Sequence, residues 1–563
     1  MASPIKRITI LEEDLTTAGA PAASTDIAYV PGFTTTTYDE ATNTYTTSAG
    51  DKFDGTALDL NEPVLCTTVD EFEYAFGKNP FIFEADEEYP AEFAANDKPD
   101  DKIVKKGEVD KSYVYAKSLI KMGIPVIYKA EFTVTTAATT KIVIEHNLVH
   151  ITAKAATTDT FGNNEFYRCT NCGKYFSDDK AKNEITDLST LYILKLNTEN
   201  NEENNTAALN YLNELVAVTG TEEADNKTVE VPGETVVPTV ANFYSHFEGN
   251  LDKLEDKGEF TVKYITSGGY PVLGYNENSI TRRMLSLCAS RGDSVAIIDH
   301  TNYSERKLMA TDPTSVFYEV ANAKFENAQF GAMFTPWANY SGLPISWKEV
   351  NIGDVGYKDA PSVNSIQLPA SFAYLAALAV SIRSNANWEA IAGVKRGQVP
   401  YITSLNTKER LSNTIADSYQ SRDDKTSINA ITNIRPYGLT IWGNRTLFDN
   451  NKAQNLRASS FLNLRNLCSD IKKVVYTACK DLLFEQNSEI LWINFKSRIT
   501  PLLDRMKTGY GISGYKIIKA ATHYNGEPLA KAQLAAVIKI YPLYAIEEFE
   551  ITVELADDEV SVS

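Results

Sequence analysis

The sequence predicts a multidomain α/β protein: an α/β core, an inserted β-rich domain, a C-terminal α+β domain and an extended strand arm at each end. Three observations carry this expectation. Short apolar strands alternate with amphipathic helices in 63–128 and again in 280–335, the order that builds a sheet flanked by helices. Composition shifts near Phe132; from there to about Gly258, Thr, Asn, Glu and Lys dominate and apolar runs are short. Both ends bear a period-two stretch beside a polar tether, Ile8 and Ile10 at one end and Phe549, Ile551, Val553 and Leu555 at the other. The expected divisions are an N-terminal arm at 1–24, an α/β part at 25–131, the insertion at 132–258, a second α/β part at 259–427, a C-terminal domain at 428–545 and an arm strand with acidic tail at 546–563.

Each element follows from local chemistry. PVLCTTVDEFEYAFGKNP (63–80) reads as a strand and a short helix, with Thr68 or Asp70 as N-cap and Gly77 as stop. The helix at 112–122 puts Tyr115, Leu119 and Met122 on one face; Gly123 closes it before a buried strand at 124–128. The helix at 280–291 feeds 294–299, an apolar run of the kind that parallel sheets bury on both faces. A helix at 312–322 and a strand at 331–335 follow. The segment 370–383 is apolar on nearly every side (Phe372, Leu375, Ala376, Leu378, Ala379, Ile382) yet too short to span a bilayer, so it is expected to be a core helix. Two amphipathic helices, 461–484 and 488–507, then precede strands at 512–520 and 535–542.

Composition narrows the function classes. A formal charge of −20 over 563 residues, with no basic stripe, argues against nucleic-acid binding. The first residues, MASPIKRITILEEDLTTAG, lack the apolar centre of a signal peptide, and no run is long enough to cross a membrane, so no membrane insertion is expected. Cys66, Cys288, Cys468 and Cys479 sit singly in apolar surroundings and read as buried thiols of a reducing compartment.

The strongest metal signal is Cys169-x-x-Cys172 in FYRCTNCGKYF, two thiolates that a tight turn can aim at one zinc ion. His146 and His150 upstream are candidates for the remaining ligands; the alternative is a reduced dithiol in a local turn. The stretch from His146 through this turn also resembles small Cys/His modules repeated in bacterial surface proteins, where a further cysteine usually sits near the position of Thr158 or Asp159. A structural zinc is the one cofactor the sequence suggests, and none is required for activity. Asp299, His300 and Ser371 supply residue types of a nucleophilic triad, but neighbours on a strand point to opposite faces, so Asp299 cannot orient His300. ITSGGYPVLG has glycines without the order of a phosphate loop. In 428–447, Arg435 and Arg445 could clamp an anion, but they read better as guanidiniums paired within the structure. Helix 488–507 concentrates Lys496, Arg498, Arg505 and Lys507 in an acidic chain, which makes it either a face toward an acidic partner or a solvated surface.

Three stretches resemble the tail sheath proteins of contractile-tailed bacteriophages: INAITNIRPYGLTIWGNRTL, then 459–515 with its FEQNSEILW phrase, and YPLYAIEEFEITVEL near the end. LPASFAYLAALAVSIRSNANWEAIAG, VPGF and TTVDEFEYAFG agree with the same pattern, whereas 132–258 matches nothing in the sheath core. The resemblance implies a subtilisin-like α/β domain without catalysis. It also implies subunits stacked as hexameric rings around a tail tube, with arms that add strands to neighbours' sheets. Expected partners are further copies of the chain, the tube protein, and baseplate and tail terminator proteins; no nucleic acid is expected. The expected location is the virion tail, with assembly in the host cytoplasm. A bacterial contractile injection system or tailocin would use the same machine. A degenerate hydrolase is the weaker alternative, since no enzyme activity is expected.

Overall fold

The computed structural model describes residues 26–48, 50–83, 87–88, 102–104, 109–221, 226–270, 279–299, 323, 325–343, 366–382, 388–406, 416, 426–448, 457–480, 482–520, 523–524, 527–528 and 534–545. They form two compact units, one comprising Asp39–Thr42 and Thr135–Val236 and the other the rest of the chain.

The larger unit starts with β1 (Ala28–Asp39) and β2 (Val64–Cys66), then α1 (Val69–Phe76). Thr68 caps α1 by accepting from the Glu71 N–H at 3.2 Å, while the Glu71 carboxylate accepts from the Thr68 N–H at 3.2 Å, so two otherwise orphaned donors are satisfied together. α2 (Lys111–Met122) is capped by Asp110 and ends at Gly123, whose φ of 95° lets its N–H turn back onto Leu119 and Ile120 carbonyls. Next come β3 (Val126–Thr135), α3 (Val240–Lys253), β4 (Tyr264–Ile265), α4 (Ile280–Arg291), β5 (Val295–Asp299) and β6 (Gly331–Thr335). α5 (Ala370–Ile382), β7 (Asn429–Ile434) and β8 (Gly438–Trp442) complete the sheet and its cover.

The sheet order is β3–β1–β4–β5–β6–β7–β8. Pairing is parallel from β1 through β7 and antiparallel for β7 with β8. Burial on both faces is written in the strand alternation. Val295 and Ile297 of β5, with Ala332 and Phe334 of β6, join α1, α2 and α5 in one core. Ala296, Ile298 and Met333 point the other way, into a core shared with α3 and α4. α5 packs into this core, with Phe372, Leu375 and Ala376 inaccessible to solvent, while Val380 near its end is exposed.

A third core belongs to the C-terminal segment. α6 (Leu462–Lys480) and α7 (Glu489–Thr508) press Leu464, Leu467, Ile471, Phe495, Ile499 and Leu503 together against a ribbon of β9 (Ile512–Lys519) and β10 (Ala536–Pro542). The ribbon is antiparallel, with Lys516 opposite Lys539 and Ile518 opposite Val537. Among the described residues, no other strand pairs with either outer edge of it.

The smaller unit holds an exposed two-stranded antiparallel ribbon, Thr139–Ile144 with Asn226–Val231, and a three-stranded antiparallel sheet of Leu148–Ile151, Phe166–Cys169 and Tyr175–Phe176. It also contains a helix, Glu202–Leu215, that β-rich composition did not foresee. Asn201 caps that helix, and Leu212 joins Phe166, Tyr175 and Leu191 in a small core. Arg168 is buried beneath the helix C-terminus, where its Nη1 donates to the carbonyls of Asn213 at 2.6 Å and Val216 at 2.8 Å. The insertion was expected to reach 258; the smaller unit ends at Val236. The physical reason is α3, whose Val240, Phe243, Phe247 and Leu251 recur at helical spacing and enter the core beneath β1 with Tyr29 and Phe33.

Candidate metal centre and assembly surfaces

The register of the small sheet decides which histidine meets the cysteines. Leu148 pairs with Cys169 and His150 with Tyr167. Continuing the ladder two residues past Leu148 brings His146 opposite the turn that holds Cys172. His146 Nδ1 lies 3.4 Å from Cys172 Sγ, and the ligand atoms of His146, Cys169 and Cys172 all lie within 4.8 Å of one another. His150 is displaced along the strand in the opposite direction. Its ring stacks on Tyr167 with centroids 4.6 Å apart, and its Nε2 meets Glu165 Oε1 at 2.7 Å. The structure therefore unites three of the four expected ligands and sends His150 to a surface hydrogen bond with Glu165.

Residues the sequence reading passed over hold this arrangement. Asn147 Nδ2 donates to Thr170 Oγ1 at 2.9 Å, and the Thr170 N–H donates to the Asn147 carbonyl at 2.9 Å, clasping the histidine loop to the cysteine turn. The Asn171 N–H points at Cys169 Sγ at 3.4 Å. Within the turn, Gly173 has a φ of 77° and its N–H donates to the Cys169 carbonyl at 3.0 Å. The adjacency of Asn147 to His146 and of Gly173 to Cys172 was the available signal.

The proposed arm residues Ile8, Ile10, Phe549, Ile551, Val553 and Leu555 lie outside the described residues, as does His300. Lys496, Arg498, Arg505 and Lys507 are all exposed on α7. Arg498 is turned toward α6, where its Nη1 donates to the Ala478 carbonyl at 3.3 Å in the helix's last turn. The outer face of the ribbon exposes Ile518 (43%), Val537 (39%) and Tyr541 (45%) around the lysine pair. Like charges directly opposite on a sheet repel, so Lys516 and Lys539 favour an acidic neighbour.

Ser371 has a structural task. Its N–H and Oγ–H donate to Asp299 at 2.7 and 2.8 Å, Tyr115 donates to its Oγ at 3.0 Å, and both Ser371 and Asp299 are buried. The pair pins the start of α5 to the end of β5, with a carboxylate at a helix N-terminus. Burial pushes the Asp299 carboxyl up to about 7. Arg445 is likewise buried, with its guanidinium over the Phe461 ring at 4.4 Å, whereas Arg435 is exposed. Asn429 bonds both the N–H and the carbonyl of Arg445, each at 2.8 Å, and fixes the chain after β8. The two arginines thus differ in burial, and Arg445 serves the packing of the C-terminal segment.

No family model matches the chain. Among curated proteins it is 26% identical over 159 residues to the tail sheath protein of Vibrio phage KVP40, a match that takes in 28% of this chain. The chain thereby spans 22% of the length of that relative. Of the solved structures, the sheath of an extracellular contractile injection system in its contracted state is 16% identical, with a TM-score of 0.38 and coverage of 56% of this chain and 75% of that one. The sheath tail protein of Desulfitobacterium hafniense is 9% identical, with a TM-score of 0.38 and coverage of 94% and 100%. The likeness to contractile-tail sheath proteins read from the sequence is met again in a curated phage protein that bears that name.

Proposed function

We propose that this chain is the sheath subunit of a contractile tail, in a phage or in a related injection system. Its copies stack as hexameric rings around a tube, and the sheath shortens to drive the tube through the host envelope. The observation that carries this function is the sequence match to a curated tail sheath protein. A second observation supports the way subunits are linked. Among the described residues no further strand pairs with the β9–β10 ribbon, which carries a lysine pair, and 547–555 is an alternating acidic segment, EEFEITVEL. Such a segment can add to a sheet edge by main-chain hydrogen bonds, the mode called β-augmentation.

In this account the terminal strand of one subunit extends the ribbon of the next, and the N-terminal strand at Ile8 and Ile10 makes a companion link. Energy is stored at assembly in a metastable packing and released when subunits rotate into closer contact, with the arms keeping neighbours tethered. No nucleotide is consumed. The tube, baseplate and tail terminator proteins are the partners, α7 with Lys496, Arg505 and Lys507 is the candidate tube-facing element, and the assembled protein resides in the virion tail. Electron microscopy of the purified chain tests the proposal. The full chain should form tubes or stacked rings, whereas a chain lacking 546–563 should stay folded and unpolymerised. Equal polymerisation by both would rule out the arm mechanism, and no ordered polymer from the full chain, with or without tube protein, would overturn the sheath function.

A further inference from the structure

We propose that His146, Cys169 and Cys172 bind one zinc ion, which staples the loop after strand Thr139–Ile144 to the turn after strand Phe166–Cys169, with water in the fourth position. Zinc–sulfur bonds of about 2.3 Å and zinc–nitrogen bonds of about 2.0–2.1 Å, at tetrahedral angles, put neighbouring ligand atoms roughly 3.5–3.8 Å apart. The observed 3.4 Å between His146 Nδ1 and Cys172 Sγ is close to that spacing, and the whole triplet lies within 4.8 Å. The two sulfurs and one imidazole nitrogen are soft donors that suit zinc and disfavour magnesium or calcium.

The surroundings fit thiolates. The Asn171 N–H directed at Cys169 Sγ stabilises negative charge there. Gly173 in the left-handed region lets the chain fold back after Cys172, so both thiols point to one side. Cys169 is buried while Cys172 and His146 are half-buried, so the inner thiolate is shielded and the outer side of the triplet can admit water. Among the described residues no fourth Cys, His or carboxylate joins the group. The unit has reason to use a staple, because its core is a small cluster of Phe166, Tyr175, Leu191 and Leu212 with only partly buried hydrophobics such as Ile151, Leu188 and Leu215 packed against it. Small cores gain folding energy from a bound metal. This site does not depend on the sheath function.

The test uses the full chain, purified under reducing conditions, stripped with a chelator and reloaded with zinc or with cobalt(II) as a spectroscopic probe. The expected result is one metal per chain, with a thiolate-to-cobalt charge-transfer band and the visible absorption of a tetrahedral site. Zinc should slow alkylation of Cys172 by about tenfold or more, since a metal-bound thiolate is a poor nucleophile. Cys172→Ser and His146→Ala should lose the metal, and His150→Ala should keep it. A metal-free chain in excess zinc, a wild-type cobalt spectrum without the thiolate band, or full binding by Cys172→Ser would overturn the site. So would a Cys169–Cys172 disulfide located by peptide mass mapping of the chain prepared under these reducing conditions. If the variants fail to fold, the wild-type cobalt spectrum and the alkylation rate decide the question alone.

Discussion

Asp299 and Ser371 stand 72 residues apart in sequence, yet they meet at 2.7 and 2.8 Å where β5 ends and α5 begins. Asp299 was legible as the end of a buried strand, and Ser371 as the start of a buried helix. Their bond was not, because it depends on how the sheet is ordered. The contact has a consequence for pH. Asp299 holds its proton in the native state up to about 7, while an unfolded chain releases it near the ordinary 3.8. Between those values the native state binds more protons than the unfolded one, so this group's contribution to stability falls as pH rises. Asp110, buried and pushed up to about 6, acts in the same direction. Urea unfolding of the wild type and Asp299→Asn at a series of pH values checks this. The stability of the wild type relative to the variant should decline from about pH 4 to pH 7; a constant difference would contradict the assignment. The same scale explains the fate of the two histidines. His146 in the loop before strand Leu148–Ile151 and His150 within that strand look equivalent in sequence, and only the pairing of Leu148 with Cys169 tells them apart.

Some helix ends were legible because they are encoded locally. Thr68, one of two N-cap candidates, and Gly123 were read as helix ends and act as caps in the fold, whereas Ser488, read as the first helical residue, is the N-cap of α7. The energetic meaning of one such cap can be measured. Thr68→Ala removes an N-cap bond from α1, at a cost of about 1 kcal/mol, read as a lower denaturant midpoint with an unchanged slope. No change in midpoint would mean that α1 is held by Phe72, Ala75 and Phe76 alone. α3 shows how an element can be assigned to the wrong neighbour. Its flanks are polar like the insertion, while its Phe243, Phe247 and Leu251 face belongs to the host core. Composition averages over a window; burial is decided by a stripe. The helix Glu202–Leu215 was missed for a related reason, since Ala208 and Leu212 are its only fully buried side chains. The parallel order of β1, β4, β5, β6 and β7 brings together segments whose sequence spacing varies widely, and no local pattern specifies that order.

For the whole molecule, the described cores differ in how fully their strands are covered. The two-sided sheet and the helices around it form ordinary, well-filled cores. The ribbon differs. A two-stranded sheet is marginal alone in water. Here one face is supplied by α6 and α7, through half-buried Tyr515, Ile517, Ile538 and Ile540, and the other keeps Ile518, Val537 and Tyr541 exposed. No helix among the described residues is long and apolar enough to cross a membrane, so a bilayer-spanning helix does not account for that surface. In the function proposed above, the acidic terminal strand of a second copy seats beside Lys516 and Lys539. That placement is the central claim, and it can be tested on the natural residues. Chains grown with light and with heavy nitrogen are mixed, allowed to polymerise, and treated with a zero-length reagent that joins carboxylates to lysines. The expected result is cross-links from Glu548 or Glu550 to Lys516 or Lys539 in which the two peptides carry different isotopes as often as the same one. Cross-links found only between peptides of one isotope would show that the terminal strand folds back onto its own molecule, and would contradict the account.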